Sequence, residues 1–328
     1  MSEFPLLKLP YVALKEVVRC LSPIEIFNFS LCSSNLALPV GTNNFTICVN
    51  DHHDGRRVSV NGHKFLVLDK SHEYFQKSMS TYKFGTEIVK GRYQEDKVET
   101  YWWNRNLNDG LFILAAYLSK LFKSQIRYFE VPWNFETSPS ISDTCCVQEL
   151  RIYDYQNPKI LKWLLDHIKV SKILRIDASC YKDFEYLFFE GILEEFHATN
   201  ATWMTFPTLS TLNSCKEIVI TGSNLTNNDL DKFIKLWKSG KFLKLEYFKV
   251  QSEKFTKEEK ILGFTMKQLE SQQEKKYKWF DDRRLPCDRG MDIQNENGDL
   301  ARIWFYSNVS FSMFVWKNGE DRDGSYNW

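Results

Sequence analysis

The 328-residue chain has no surplus of either charge: 43 basic residues stand against 42 acidic ones, a net charge of +1. Nucleic acid or an anionic membrane surface calls for a cationic excess, so neither is an expected partner. No apolar run is long enough to span a bilayer. The longest, residues 111–118, falls far short of the roughly 20 residues a membrane helix needs. Lys8, Lys15, Glu16, Arg19 and two prolines interrupt the first residues, so no signal peptide is expected. None of the eight cysteines forms a C-x-x-C pair. Most sit in apolar runs, where a free thiol packs as a small hydrophobe, which points to a reducing compartment, cytoplasmic or nuclear. The five Asn-x-Ser/Thr triplets, at Asn28, Asn44, Asn200, Asn224 and Asn308, are then read as chance.

Catalytic signatures are also missing. There is no phosphate-binding G-x-x-x-x-G-K-[ST] loop, no G-x-G-x-x-G, no H-E-x-x-H and no G-x-S-x-G. Asp51-His52-His53-Asp54 is the one metal-like cluster, but adjacent side chains diverge in extended chain, and the reading is a solvated turn with no metal. Cys145-Cys146 points two ways off a strand and reads as core or near-core packing. His167 falls in the last turn of a predicted helix, where its charge suits the dipole. His197, between Phe196 and Ala198 on a strand, faces the side opposite both. No acid–base or nucleophile constellation results, so neither an enzyme nor a cofactor is expected.

What the chain has is aromatic content, 15%, which favours a packed core or a binding surface. Its first forty residues are clearly punctuated. Pro10 pre-sets a helix start. Leu14, Val17, Val18 and Leu21 fall at i, i+3, i+4 and i+7, one apolar stripe. Ser22-Pro23-Ile24-Glu25 is a capping box with proline at the first helical position. Ile26, Phe27 and Phe29 follow, and a short third turn is predicted over residues 34–38 before Pro39. So small a helical set cannot bury enough surface alone, which implies a partner protein or a docked second domain.

The texture then changes. Residues 45–49, 58–60 and 64–68 are short β-rich runs, with turn signals at residues 50–55 and at Asn61-Gly62, and residues 98–103 form a further strand. From Asn106 strands and helices alternate. Leu111, Leu114, Ala115 and Leu118 form one helical stripe, and Leu161, Leu164, Leu165 and Ile168 another after an Asn157-Pro158 start. Residues 184–189 are helix-like. Thr226-x-x-Asp229 caps a third helix carrying Leu230, Phe233, Ile234 and Trp237, and Thr256-x-x-Glu259 opens a fourth through Leu269. Strand cores recur at Phe129-Glu130-Val131, Leu150-Arg151-Ile152, Leu174-Arg175-Ile176, Phe196-His197-Ala198, Ile218-Val219-Ile220 and Phe248-Lys249-Val250. Their spacing suits an irregular, leucine-rich-repeat-like β/α solenoid, with an ordinary α/β sheet as the alternative. Asn297-Gly298 sets a C-terminal hairpin between residues 291–296 and 300–306. Val309, Phe311, Met313 and Val315 alternate as a last strand, a β cap on the open end.

The N-terminal stretch resembles an F-box: Leu9-Pro10, the Leu14/Val17/Val18/Leu21 helix, the Ser22-Pro23 break, and Ile26/Phe29/Leu31-Cys32. The body resembles the type 2 F-box-associated domain of the large nematode-expanded F-box family. The similarity lies in Trp102-Trp103-Asn104, Asn108-Asp109-Gly110-Leu111, the run from Tyr117 to Phe122, the Ser223-Asn224-Leu225-Thr226 turn with Phe233 to Trp237, and Phe314-Val315-Trp316. It extends over most of residues 102–316. Together these give an α+β or α/β chain with a three-helix F-box (1–40), a β-meander linking region (41–104), the solenoid-like domain with its antiparallel cap (105–318) and a tail (319–328). The resemblance implies a non-catalytic substrate receptor that docks on the Skp-type adaptor of a cullin ubiquitin ligase and binds a protein substrate of unknown identity. A protein-interaction scaffold or sensor acting without a ligase is the alternative. Leu9, Pro10, Leu14, Val17, Val18, Leu21, Pro23, Ile26 and Phe29 are the adaptor-binding candidates. Glu130, Arg151, Arg175, His197 and Lys249, on the strand face away from the helices, are the substrate-binding candidates.

Overall fold

A computed structural model of the chain describes residues 9–31, 40, 45–52, 55–69, 79–84, 87–94, 96–102, 106–131, 145–153, 157–178, 184, 186, 193–270 and 290–317. Contacts gather the chain into two units, Met1–Arg151 with Asp166–Lys169, and Ile152–Leu165 with Val170–Trp328. The fold is α+β, with seven helices and mixed sheets among the described residues.

Unit 1 opens with α1 (Tyr11–Cys20) and α2 (Pro23–Leu31), followed by β1 (Ile47–His52), β2 (Gly55–Val60), β3 (His63–Leu68), β4 (Ser80–Phe84), β5 (Glu87–Gln94), β6 (Lys97–Tyr101), α3 (Leu107–Phe122), β7 (Ile126–Glu130) and β8 (Cys145–Tyr153). Its strands lie in the order β8-β7-β1-β2-β3-β6-β5-β4. Asn61 and Gly62, with φ of 50° and 87°, make the primed hairpin turn predicted between β2 and β3. The meander reading holds for β1 to β3 only. β6 pairs parallel with β3, and the hairpin of β4 and β5 lies outside it. β7 runs parallel to β1, which ties the first repeat strands to the meander, so the texture change at 104/105 does not separate compact units.

The core of unit 1 forms between this sheet and α3. Asn106 caps the helix by accepting from the Asn108 amide, and Leu111, Leu114, Ala115 and Leu118 are all fully buried. Phe112 of α3 stacks on Phe129 of β7 with ring centroids 5.0 Å apart. Gly110 is required where it stands, because a Cβ there would lie 2.7 Å from the Trp102 ring. The Trp102 indole N–H donates to the Thr100 hydroxyl (2.9 Å), which donates to the Leu66 carbonyl (2.7 Å), so the polar atoms of this packed corner are paired.

Unit 2 contains α4 (Pro158–His167), β9 (Ile168–Asp177), β10 (Glu195–Thr199), α5 (Phe206–Ser210), β11 (Glu217–Ser223), α6 (Asn227–Lys238), β12 (Tyr247–Ser252), α7 (Met266–Glu270), β13 (Met291–Gln294), β14 (Leu300–Ser307) and β15 (Ser310–Trp316), apart from the few residues of α4 and β9 grouped with unit 1. Its strands follow the order β9-β10-β11-β12-β15-β14-β13. β9 to β12 are parallel, and β15 closes the far edge of β12 antiparallel. The aligned strand cores are true partners: Arg175 faces His197, His197 faces Val219 and Val219 faces Lys249. The Thr226 capping box is complete, with the hydroxyl accepting from the Asp229 amide and the carboxylate from the Thr226 amide. Leu230, Phe233, Ile234 and Trp237 are fully buried, and Phe233 stacks 4.0 Å from Phe248 of β12.

Several sequence expectations are corrected. Of the three-helix F-box, two helices are described; the turn over residues 34–38 lies outside the described residues. Ile168 belongs to β9, not to the preceding helix. Phe184 and Tyr186 are buried but lie in no helix, and the rest of that predicted segment is outside the described residues. No helix starts at Thr256. The Asn227 side chain takes the Thr256 amide and donates to the Thr256 and Glu259 carbonyls, and Leu262 and Gly263 have positive φ, so regular structure resumes at Met266. Cys146 is exposed rather than core or near-core, whereas Cys215 is buried; Cys20, Cys48, Cys146 and Cys215 are all free thiols. On β15 both faces are buried, because Ser312 and Phe314 are as covered as Phe311, Met313 and Val315.

Candidate protein-interaction site

The first candidate surface is built on α1 and α2. Leu14 donates its amide to the Pro10 carbonyl (2.9 Å), and Leu21, in extended conformation, ends α1. The Ser22 amide donates to the Glu25 carboxylate (2.7 Å) while the Glu25 amide donates to the Ser22 hydroxyl (3.3 Å), the reciprocal box the sequence predicts. These hydrogen bonds hold the Glu25 carboxyl below the usual carboxylate range. Leu14, Val18, Pro23 and Ile26 are buried, Leu9, Val17, Leu21 and Phe29 are half-buried, and Pro10 is exposed. The nine candidates thus divide between an inward and an outward set.

Two features escaped the sequence reading. Tyr11 and Val12, 67% and 71% exposed, give α1 an outward apolar pair. Phe27 is fully buried in a cage of Phe65, Tyr82, Phe84 and Tyr117, with ring centroids 5.1 to 6.0 Å away. Ser30 locks the end of α2 by donating to the Phe27 carbonyl (2.6 Å) and sharing a 2.7 Å hydrogen bond with the Tyr117 hydroxyl. Burial pushes the Tyr117 phenol up, and the Ser30 contact only partly offsets this.

Each unit also offers, by itself, a candidate surface on the side of its strands opposite the buried apolar residues. In unit 1, Tyr128 donates to Glu130 (2.9 Å). Arg151 pairs with Glu149 (2.7 Å) and lies over the Tyr128 ring, 5.0 Å from its centroid. In unit 2, Arg175 lies 3.1 Å from His197 Nδ1 and 3.3 Å from Glu195 Oε2. On the other side of the imidazole, Glu217 Oε1 stands 3.1 Å and Glu195 Oε2 3.5 Å from Nε2. Lys249, two strands beyond His197, is half-buried. Glu130, Arg151, Arg175, His197 and Lys249 are all half-buried, while their strand neighbours Phe129, Leu150, Ile152, Leu174, Ile176, Phe196, Ala198, Phe248 and Val250 are buried.

Past Val219 the face becomes aromatic. Tyr247 stacks 4.8 Å from Phe314 and Phe314 stacks 5.0 Å from Trp304, and Val219 and Trp316 pack against this cluster. Arg302 sits beside it, held by a two-point pair to Asp292 at 2.8 and 3.1 Å. The sequence carried a sign of this in Phe314-Val315-Trp316, but the alternation read on this strand ran through Val309, Phe311, Met313 and Val315 and left Phe314 and Trp316 off the stripe.

The metal-like Asp51-His52-His53-Asp54 cluster lies outside the described side chains. Among the described residues no group of three or more His, Cys, Asp or Glu is placed to hold a metal ion. No described helix is long and apolar enough to cross a membrane.

Two helices broken by Ser22-Pro23 head unit 1, and in unit 2 parallel strands alternate with helices. The model of the F-box domain family matches residues 6–37, and that of the F-box associated family, FBA_2, matches residues 178–250. The two matches support an F-box protein with an F-box-associated domain. The second match covers β10 to near the end of β12, a narrower stretch than the resemblance read over residues 102–316. No curated protein and no solved structure matches the chain. At family level this pairing is that of a substrate-recognition adaptor of Skp–cullin–F-box ubiquitin ligases, generally non-catalytic, and F-box domains typically bind the Skp-type adaptor.

Proposed function

We propose that this chain is a non-catalytic substrate receptor of a Skp–cullin–F-box ubiquitin ligase, acting in the cytoplasm, the nucleus or both. The observation that carries the reading is the presence of both family matches in one chain. In this reading the adaptor contacts Leu9, Pro10, Val17, Leu21 and Phe29 together with the exposed Tyr11 and Val12. Leu14, Val18, Pro23 and Ile26 support the helices from within. The substrate is a protein, held on the outward sheet face of unit 2 at Arg175, His197 and Lys249, or on that of unit 1 at Glu130 and Arg151. Half-buried charges flanked by buried apolar neighbours suit a surface that recognises charge without collapsing onto itself.

We also infer that the β/α body is a leucine-rich-repeat-like solenoid. The parallel pairing of β9 to β12 supports it, with a register shift only past Ile220, as does the antiparallel closure of β12 by β15.

The test is co-expression with a Skp-type adaptor and cullin, comparing wild type with Val12→Asp and with Arg151→Glu/Arg175→Glu. Val12→Asp should lose adaptor and cullin while the chain stays folded. The double reversal should keep both and lose the substrates identified by proteomics. If wild type captures no adaptor, the second reading, a scaffold without a ligase, takes its place. One observation favours that reading: α2 belongs to the core of unit 1, so the sheet uses it whether or not an adaptor is bound.

A further inference from the structure

The unit 1 sheet face opposite Phe27 is cationic. Register places Lys83 of β4, Lys90 and Arg92 of β5, Lys97 of β6, Lys64 of β3 and Arg57 of β2 on that one side. Lys83 opposes Ile88, Lys90 opposes Tyr101, Arg92 opposes Glu99, Lys97 opposes Lys64, and Arg57 opposes Leu66. The alternate residues Val58, Phe65, Tyr82, Phe84, Val89 and Val98 point the other way and are buried.

Among the described residues of these five strands, Glu99 is the single carboxylate on this side, and it is already engaged. Arg92 pairs with it, the Lys97 ammonium stands 2.9 Å away, and the Tyr101 hydroxyl donates to it at 2.9 Å. The other cations are not neutralised by described residues. Among the described residues, Lys64 and Lys83 make no ion pair. Lys90 reaches only the Thr81 hydroxyl, at 2.6 Å, and the Arg57 Nε has no hydrogen-bond partner. Five strands at about 4.8 Å spacing spread these charges over about 19 Å. Leu66, Leu68 and Ile88 are interleaved with them, and Ile88 is 68% exposed.

We propose that this face docks an acidic segment of a partner protein. Its carboxylates meet Lys64, Lys83, Lys90 and Arg57, and an apolar residue of the segment covers Ile88. A carboxylate-rich protein segment fits better than nucleic acid for three reasons. The cations alternate with aliphatic side chains; Tyr101, the aromatic ring on these strands' outward side, is buried and offers no stacking platform; and the chain as a whole carries a net charge of only +1. The site lies on β2 to β6 and does not include the unit 1 substrate candidates Glu130 of β7 and Arg151 of β8, and it does not rest on the ligase reading. Phe65, Tyr82 and Phe84 hold Phe27 on the back of the same strands, so a segment docked here lies one sheet thickness from α2.

The test uses the full chain and a fluorescein-labelled peptide of Glu-Glu-Leu-Glu repeats, read by fluorescence anisotropy at low and high salt. Wild type should bind saturably and weaken as salt rises. Lys64→Glu/Lys83→Glu/Lys90→Glu should bind at least about tenfold more weakly, whereas Lys257→Glu, at an exposed position in unit 2, should bind as wild type does. Should the triple reversal fail to fold, Lys64→Gln/Lys83→Gln/Lys90→Gln decides, with a smaller loss in the same direction. Absence of wild-type binding at low salt, or equal binding by the folded triple variant, overturns the proposal. So does tighter binding of oligo(dT) that the same substitutions abolish, since the face would then be a nucleic-acid site.

Discussion

Phe27 meets Phe65 edge to face, 5.1 Å between ring centroids at 68°, and so joins the second F-box helix to the third strand of the sheet. The helix is therefore a core element of unit 1 and not an appendage that can be removed cleanly.

The first prediction concerns that contact. Phe27→Ala removes a fully buried ring from a four-sided aromatic cage and should cost about 3–5 kcal/mol in a denaturant melt of unit 1. Deleting residues 9–31 should expose Phe65 and Tyr82 and give dye-binding, aggregation-prone protein. A truncated chain that melts like wild type would show that α2 is dispensable.

The second prediction concerns α6. Trp237→Ala should also cost about 3–5 kcal/mol, because the side chain is fully buried in the stripe that rests on β12. A loss below about 1 kcal/mol would place it with surface substitutions and contradict the packing.

Capping gives a paired third test. Thr226→Ala breaks the α6 capping box and should cost about 1 kcal/mol. Thr256→Ala removes only a 3.4 Å contact to the Glu259 amide in a segment with no helix, so its cost should stay within about 0.5 kcal/mol. Equal losses would mean that Thr256 caps a helix in solution.

A fourth prediction follows from Glu99. Burial pushes its carboxyl up, but Arg92, Lys97 and Tyr101 together outweigh that and hold it below its ordinary value of 4.5. The folded chain thus binds the proton less readily than the unfolded chain. The associated stability is present above that ordinary value and is lost as pH falls through the lower folded one. Melting temperature should drop across this acid window, and Glu99→Gln should flatten the drop. An unchanged acid slope in the variant would show that Glu99 does not carry it.

Much of the framework was legible because period-2 alternation fixes which residues face the core. Arg175, His197, Val219 and Lys249 came out as mutual neighbours from strand patterns alone. The β4–β5 hairpin did not, because Gly91 and charged residues dilute its pattern. Yet Gly91 is demanded there: a Cβ would sit 2.4 Å from the Tyr82 ring. The helix expected from Thr256 failed for a tertiary reason. Asn227, far away in sequence, takes the backbone groups a helix start would use. At the candidate surfaces, polarity was readable but partnership was not. Nothing local in Arg302 foretells its pairing with Asp292, nor in Tyr247 its stacking on Phe314.

The in-register strands of unit 2 separate where a residue sits from how much chain precedes it. Phe196 and Ile218 are 22 positions apart, Ile218 and Phe248 are 30 apart, and the row of outward residues between them is unbroken. Connections can lengthen without displacing that row. Positions 175, 197, 219 and 249 therefore act as adjacent tiles about 4.8 Å apart, each open to exchange for another side chain while its neighbours keep their places. Such a surface can diversify one tile at a time on an unchanged scaffold.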